Sequence, residues 1–484
     1  MPTRENSHHL PVSENSRHSD PERSEGEEPL YFVVVCSLIH RYTKYCPPLI
    51  RRHSGRNPES PYSSFLALGA ILLTSLCALT SCHQPPPTID GIVHTYVSLA
   101  VQLGARDPDS LDFHAGNDDT NVLQKENPQP LANLHRQAIA LRNQLDNLPP
   151  YDPARNSFLR AQLEAIIFRV NQLSGTSNRF DEESRAYFGV IAPPDTQIEV
   201  RNQIRNHLAQ LLGNPDSKDL PAAYTHFDAQ FIVQPARVPA VMTEALQQCR
   251  ALTLQHLTLP ANEVITLEYV SHKPWSAFSR YRGYAQSTIQ VNMDYPLTLD
   301  RILNLACHEG YPGHHVFNTI RDLTLAPNRP EFLVQPTFSP QSYVSEAAAS
   351  YAPYLALSDS DRLHIERDIL APIAHTPRPD AKYLEIQRLV ASLHTAEPAI
   401  ARQYLDGDLE FVRAADALER ETLMQHSEAA LLYLNEFRSY ILTYTLGADS
   451  VQALVEAGNP TEAERWQRYT ALMTNPITTL PPPN

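Results

Sequence analysis

The sequence predicts a mostly α-helical fold with a small antiparallel β-sheet, a helical N-terminal half preceding a half that holds sheet and helices together. Three observations carry this. Apolar residues recur at helical spacing through most of the chain, β-forming residues concentrate in two short runs near residues 264–293, and glycine is scarce at 15 of 484 residues while proline reaches 41. Scarce glycine argues against collagen-like repeats, Gly-Ser linkers and glycine-rich phosphate loops. With 39 Lys+Arg against 54 Asp+Glu the net charge is -15, opposite to the basic footprint of a nucleic-acid binder. The first 81 residues carry equal numbers of acidic and basic side chains, so the acidity belongs to the remainder.

At the N-terminus, residues 65–81 form an uncharged run, FLALGAILLTSLCALTS, preceded by Arg51, Arg52 and Arg56 and followed by Pro85, Pro86 and Pro87. A basic segment, a short apolar stretch and small residues before a cut site make a secretory signal. The run is at the short limit for a transmembrane helix. Its end, Leu79-Thr80-Ser81-Cys82, is similar to the bacterial lipobox, in which the cysteine is lipidated and becomes the mature N-terminus. Residues 1–50 mix Ser, Glu, Arg and His without helical period and read as an extension ahead of the functional start. The chain thus divides into 1–82 (extension plus lipoprotein signal), 83–87 (Pro-rich tether), 88–260 (helical half), 261–476 (the half that holds sheet and helices) and 477–484 (Pro-rich tail). This predicts a lipid-anchored protein of the bacterial cell envelope, periplasm-facing or on the outer membrane, held through Cys82.

Helices follow the tether in order. Leu131–Leu148 aligns Leu134, Leu141 and Leu145, and Asn156–Leu173 aligns Leu159, Leu163, Ile166 and Val170. Phe180-Asp181-Glu182-Glu183 reads as a helix start with acids in its first turn. Gln197–Leu212 and Val238–Leu257 are further helices. Val264–Val270 and Ser287–Met293 are rich in β-formers and read as strands flanking a connection at 275–284. Helices resume at Asp300. Beyond Cys82, only Cys249 and Cys307 remain in the mature chain; they are able to form at most one disulfide, and two buried free thiols are expected.

Residues 308–315 read His-Glu-Gly-Tyr-Pro-Gly-His-His. In zinc peptidases H-E-x-x-H works because a spacing of four puts both imidazoles on one helix face, with the glutamate as general base. Here Pro312 occupies the second-histidine position. On a regular helix His314 would lie ~240° around from His308, and His315 ~10 Å along. Pro312 removes a backbone donor and clashes with the preceding turn, and Gly313 accepts unusual backbone angles. The pair is therefore expected to break or bulge the helix so that two inserted residues are absorbed before His314, with His315 the alternative ligand. A third ligand is expected at Glu346, a lone carboxylate among Ala347, Ala348 and Ala349.

The octet, the Glu346 segment and the Ile289–Asp294 stretch together resemble the bacterial domain of unknown function 885 family, of the zincin-like metallopeptidase clan, over roughly residues 89–455. The resemblance implies one zinc ion held by His308, His314 and Glu346, Glu309 as base, and a zincin-like half behind a helical half. In that family the third-ligand helix commonly reads Glu-Gly-Trp-Ala, where this chain has Glu346-Ala347-Ala348-Ala349. Weaker likenesses cover Arg388-Leu389-Val390 with His394, and Tyr444-Thr445-Leu446-Gly447 with Arg438 upstream. Tyr444 and His394 are candidates to stabilise a developing oxyanion and Arg438 to hold a substrate carboxylate. The expected activity is zinc-dependent hydrolysis of peptide bonds, with strand 288–293 available to pair with an extended peptide. The same residues would serve two alternatives: a non-catalytic envelope lipoprotein binding peptides through a vestigial metal site, and a zinc amidohydrolase acting on another amide.

Overall fold

A computed structural model describes residues 88–115, 128–149 and 152–482. The signal run, Cys82, the tether and the last two residues of the tail lie outside these. The described residues all belong to one compact unit. The described residues are mostly helical with a two-stranded and a three-stranded sheet, and none of their helices is long and apolar enough to cross a membrane.

The N-terminal half packs helices Ile89–Arg106, Leu131–Asp146 and Pro153–Leu173 around Tyr96, Leu134, Leu141, Phe158 and Leu163. Their starts are chemically marked. Thr88 and Asp152 accept backbone N–H groups as caps, and Pro153 occupies the first turn, where a missing N–H costs nothing. Phe180–Phe188 begins where the acids predict it, with Glu182 reaching back to the Arg179 N–H. Helix Val238–Thr253 ends four residues before the sequence expectation.

The larger sheet departs from expectation. Strands β2 (Val264–Val270) and β4 (Gln286–Asn292) pair in parallel, and the presumed connection is itself a strand, β3 (Ala277–Gly283), antiparallel to β4. Parallel neighbours need a crossover, and β3 supplies it. The sheet is therefore mixed, and β4 is central with both edges hydrogen-bonded. It offers no free edge to a substrate peptide, contrary to the reading of residues 288–293. The smaller sheet pairs β1 (Leu111–His114) antiparallel with β5 (Val334–Pro336), joining the helical half to the segment ahead of Glu346.

The main core of the second half gathers Leu246, Ile289, Leu303, Phe317, Val344 and Tyr469. At its centre Cys249 and Cys307 form a disulfide with Cα atoms 5.5 Å apart, correcting the expectation of two free thiols. The bond ties helix Val238–Thr253 to the residue preceding His308.

Candidate metal centre

The His308 segment starts as helix Leu299–Leu305, capped by Thr298, whose side chain accepts the Arg301 N–H. It then widens into a π turn, Ala306–Gly310, and stops at an extended Tyr311 followed by a cis Tyr311–Pro312 bond. A new helix, His314–Thr324, begins at the second histidine. The inserted residues are thus absorbed by a π bulge, a common device at functional sites, plus a sharp turn. Gly313 is obligatory there: a Cβ at this position would come within 1.8 Å of the His308 carbonyl oxygen. The turn is held by the Gly313 N–H on the Cys307 carbonyl at 3.0 Å, and by the Tyr469 hydroxyl, 3.2 Å from the Pro312 carbonyl and 3.1 Å from that of Ala348. Tyr469 thereby links the turn to the Glu346 helix.

Glu346 projects from helix Pro340–Ala356, nearly all of which is buried. Its small neighbours matter for packing: a Cβ on Gly447 would lie 2.9 Å from the Ala347 Cβ, so the alanine face and a second π turn, Thr443–Gly447, touch closely. That approach delivers Tyr444 and Tyr440 to the carboxylate.

The structure brings together three of the sequence-predicted ligands. His308 Nε2 lies 3.0 Å from Glu346 Oε1 and His314 Nε2 lies 3.3 Å from Oε2. One donor atom from each of the three falls within 4.8 Å of the others. Two imidazoles and a carboxylate this close together could hold a metal ion; zinc enzymes use such donor sets with a fourth position for water. Burial opposes charge on His314, but Glu346 overrides it and raises that imidazole to about 9. Burial likewise opposes charge on Glu346, yet the two histidines hold it well below the usual carboxylate range. Glu309 is buried beside the trio without belonging to it. Its carboxyl is raised by burial, an effect that His308 and His314 partly offset.

His315, the alternative ligand, points elsewhere. It is fully buried, with Nδ1 2.9 Å from Ser287 Oγ and Nε2 3.0 Å from Glu263 Oε2. Glu263 also accepts from the Tyr311 hydroxyl and from Arg250 Nε, both at 2.6 Å. This clamp secures the residues either side of Pro312-Gly313, so that adjacent histidines at a helix start face opposite environments. Successive residues on a helix diverge by ~100°, which separates their tasks.

Of the weaker candidates, Tyr444 stands nearest. Its ring stacks 6.4 Å from that of His308 and its hydroxyl meets that of Tyr433 at 3.0 Å. His394 instead pairs with Asp449 at 3.1 Å, and among the described residues no contact joins it to the trio. Burial disfavours its charge, but Asp449 raises it to about 9. Arg438 is committed to Glu183 at 2.6 Å, which also accepts the Ser439 N–H and hydroxyl. Its Nε is thus held by a buried carboxylate, and among the described residues no hydrogen bond or ion pair joins Arg438 to the trio.

Two residues were missed. Tyr440 donates to Glu346 Oε2 at 3.2 Å; Tyr433, Phe437, Tyr440 and Tyr444 recur at intervals of three and four, the one signal available. Asp112 on β1 lies within electrostatic reach of His314, Glu346 and Glu309, is held by Gln335 Nε2 at 2.5 Å, and is raised to about 7, chiefly by burial. Nothing local to Asp112 marks it.

No protein-family model matches the sequence, and no curated protein does. Solved structures that are similar in part include two bacterial proteins. One, described as a lipoprotein from Colwellia psychrerythraea, is 12% identical with a TM-score of 0.46. The other, described as a lipoprotein of unknown function from Shewanella oneidensis, is 10% identical with a TM-score of 0.40. Each comparison covers 81% of this chain and 74% of the other.

Proposed function

We propose that this chain is a metal-dependent peptidase with a zincin-like catalytic half, anchored by lipid at Cys82 to the bacterial cell envelope. The observation that carries the catalytic reading is the convergence of His308 Nε2 and His314 Nε2 on the two oxygens of Glu346, with Glu309 buried alongside and outside the donor set. The anchor rests on the run 65–81 and its Leu-Thr-Ser-Cys end.

His308, His314 and Glu346 would hold one zinc ion, which supplies Lewis acidity toward a carbonyl and toward water. Glu309, raised by its dry surroundings, is suited to take a proton from the attacking water and to hand it to the leaving amine. Tyr444 stands over the His308 ring and offers a hydroxyl for charge developing on the substrate oxygen. Tyr440 fixes the orientation of Glu346 through its 3.2 Å hydrogen bond, as outer partners of metal ligands do. A structural zinc site has no use for Glu309, which favours catalysis over a purely binding role.

The test pairs elemental analysis with hydrolysis of a mixed peptide pool read by mass spectrometry. Wild type should carry one zinc per chain. Glu309→Gln should keep the metal and lose cleavage by about 10²–10⁴-fold. His314→Ala should lose zinc where His315→Ala retains it. A zinc-loaded wild type that cleaves nothing in the pool would remove the peptidase reading.

A further inference from the structure

Beside the metal centre, a row of aromatic rings keeps part of its surface open. Tyr444 begins it, with its ring centroid 6.4 Å from that of His308 and 30° between the planes. Tyr433 follows, 6.3 Å from Tyr444 between centroids and 3.0 Å between hydroxyls. Phe437 then stacks on Tyr433 at 4.6 Å and 23°. Behind these, the ring of Tyr440 packs 5.7 Å from Tyr444 and 6.2 Å from Phe437, while its hydroxyl holds Glu346. Contacts therefore run unbroken from two of the three ligands, His308 and Glu346, to Phe437.

The front rings differ from those that support them. Phe188, Phe338 and Tyr440 are buried, whereas Tyr433, Phe437 and Tyr444 stay partly exposed. The side chain of His308 is 16% exposed, against 10% for His314 and 8% for Glu346. The ligand most open to solvent is thus the one against which Tyr444 stacks. Apolar surface left in water gains free energy when an apolar group covers it, and aromatic rings add to one another at centroid spacings of about 4.5–7 Å, the spacing already present here. The hydroxyls of Tyr433 and Tyr444 share one hydrogen bond. That leaves one O–H for a substrate oxygen and the ring faces for a side chain. Extended peptide advances about 3.3–3.6 Å per residue, so the 6.4 Å between His308 and Tyr444 corresponds to about two residues.

We infer that Tyr433, Phe437 and the ring of Tyr444 form the wall that receives an aromatic or large aliphatic side chain within about two residues of the scissile bond, which makes peptides carrying such residues the favoured substrate class. The inference rests on the peptidase reading for what is bound. Its continuity with the ligands His308 and Glu346 is what identifies the occupant as substrate.

The experiment uses zinc-loaded Glu309→Gln protein, so that peptides stay intact, and measures binding by fluorescence anisotropy. The probes are N-terminally labelled, C-terminally amidated heptapeptide pools of Gly, Ala and Ser, either plain or carrying one Phe, Leu or Asp at a randomised internal position. The Phe pool should bind about 10- to 100-fold more tightly than the plain pool, the gain expected from taking that side chain out of water. The Leu pool should gain less, and the Asp pool nothing. Phe437→Ala and Tyr433→Ala should each remove most of the Phe gain with zinc content unchanged, whereas Tyr433→Phe, which keeps the ring, should preserve it. Should Phe437→Ala unfold, Phe437→Leu keeps the space filled and should still lower the Phe gain relative to the Leu gain. Equal binding of the Phe and plain pools, an Asp gain as large as the Phe gain, a preference that survives both Ala variants, or no binding of any pool would overturn the wall. If the preference holds while unmutated protein hydrolyses nothing, the wall stands and the peptidase reading falls. If unmutated protein cleaves the plain pool as fast as the Phe pool, the wall falls and the peptidase reading stands.

Discussion

Removing the Cys249–Cys307 disulfide should perturb stability and the proposed metal site together, because of where the bond lies. It closes a loop with a sequence separation of 58, and both sulfurs are fully buried. The loop-entropy relation for a cross-link of that span gives about 4 kcal/mol at 25 °C. The double variant Cys249→Ala/Cys307→Ala removes the cross-link without leaving a buried hydroxyl. Guanidinium denaturation followed through Trp275 and Trp466 should report a loss of about 4 kcal/mol. The second consequence is local. Cys307 is the residue before His308 and accepts the Gly313 N–H on its carbonyl, so untying it from the Val238–Thr253 helix loosens the π turn that aims the first ligand. Zinc affinity should therefore fall in the variant, while a cross-link remote from the centre would leave it unchanged. Thiol titration of residues 83–484 offers a direct check, since Cys249 and Cys307 are the cysteines of that span. Native protein should show none reactive after denaturation without reductant, and two after reduction. Two reactive thiols before reduction, or a variant within about 1 kcal/mol of wild type, would refute the reasoning.

Gly313→Ala should cost about 3 kcal/mol and weaken zinc retention, because the added Cβ meets the His308 carbonyl at 1.8 Å; thermal melts with zinc analysis check both, and an unaffected variant would refute the turn. Glu263 is pushed up by burial, but His315, Tyr311 and Arg250 override this and bring it down to about 2. With the folded pKa below the unfolded value, its contribution is present above about pH 4.5 and fades as pH falls toward 2. The stability difference between wild type and Glu263→Gln should shrink across that window, and a difference constant with pH would contradict the clamp. Cys82→Ala should abolish incorporation of labelled palmitate and leave an unprocessed precursor; equal labelling would sink the lipid anchor.

Much of the centre could be read along the chain because its chemistry is encoded locally. His308, Glu309 and His314 stand within seven positions, and Pro312-Gly313 declares in residue types alone that the helix cannot continue. Glu346 is conspicuous as a charge among alanines. The helices follow from apolar spacing and caps, properties of neighbours in sequence. The rest required distant segments to meet. Two cysteines carry no information about pairing until the fold sets their Cα atoms 5.5 Å apart. The β-rich runs identify strands, but whether β2 and β4 run parallel, and whether β4 lies at an edge, is settled by hydrogen bonds to the segment between them. His314 and His315 are indistinguishable as residues; Glu263 claims one and Glu346 the other across 52 and 32 positions. Arg438 is likewise one arginine among many in sequence, and tertiary contact alone gives it Glu183. Local propensity chooses elements and marks reactive residues, whereas a side chain's task depends on which distant partner reaches it first.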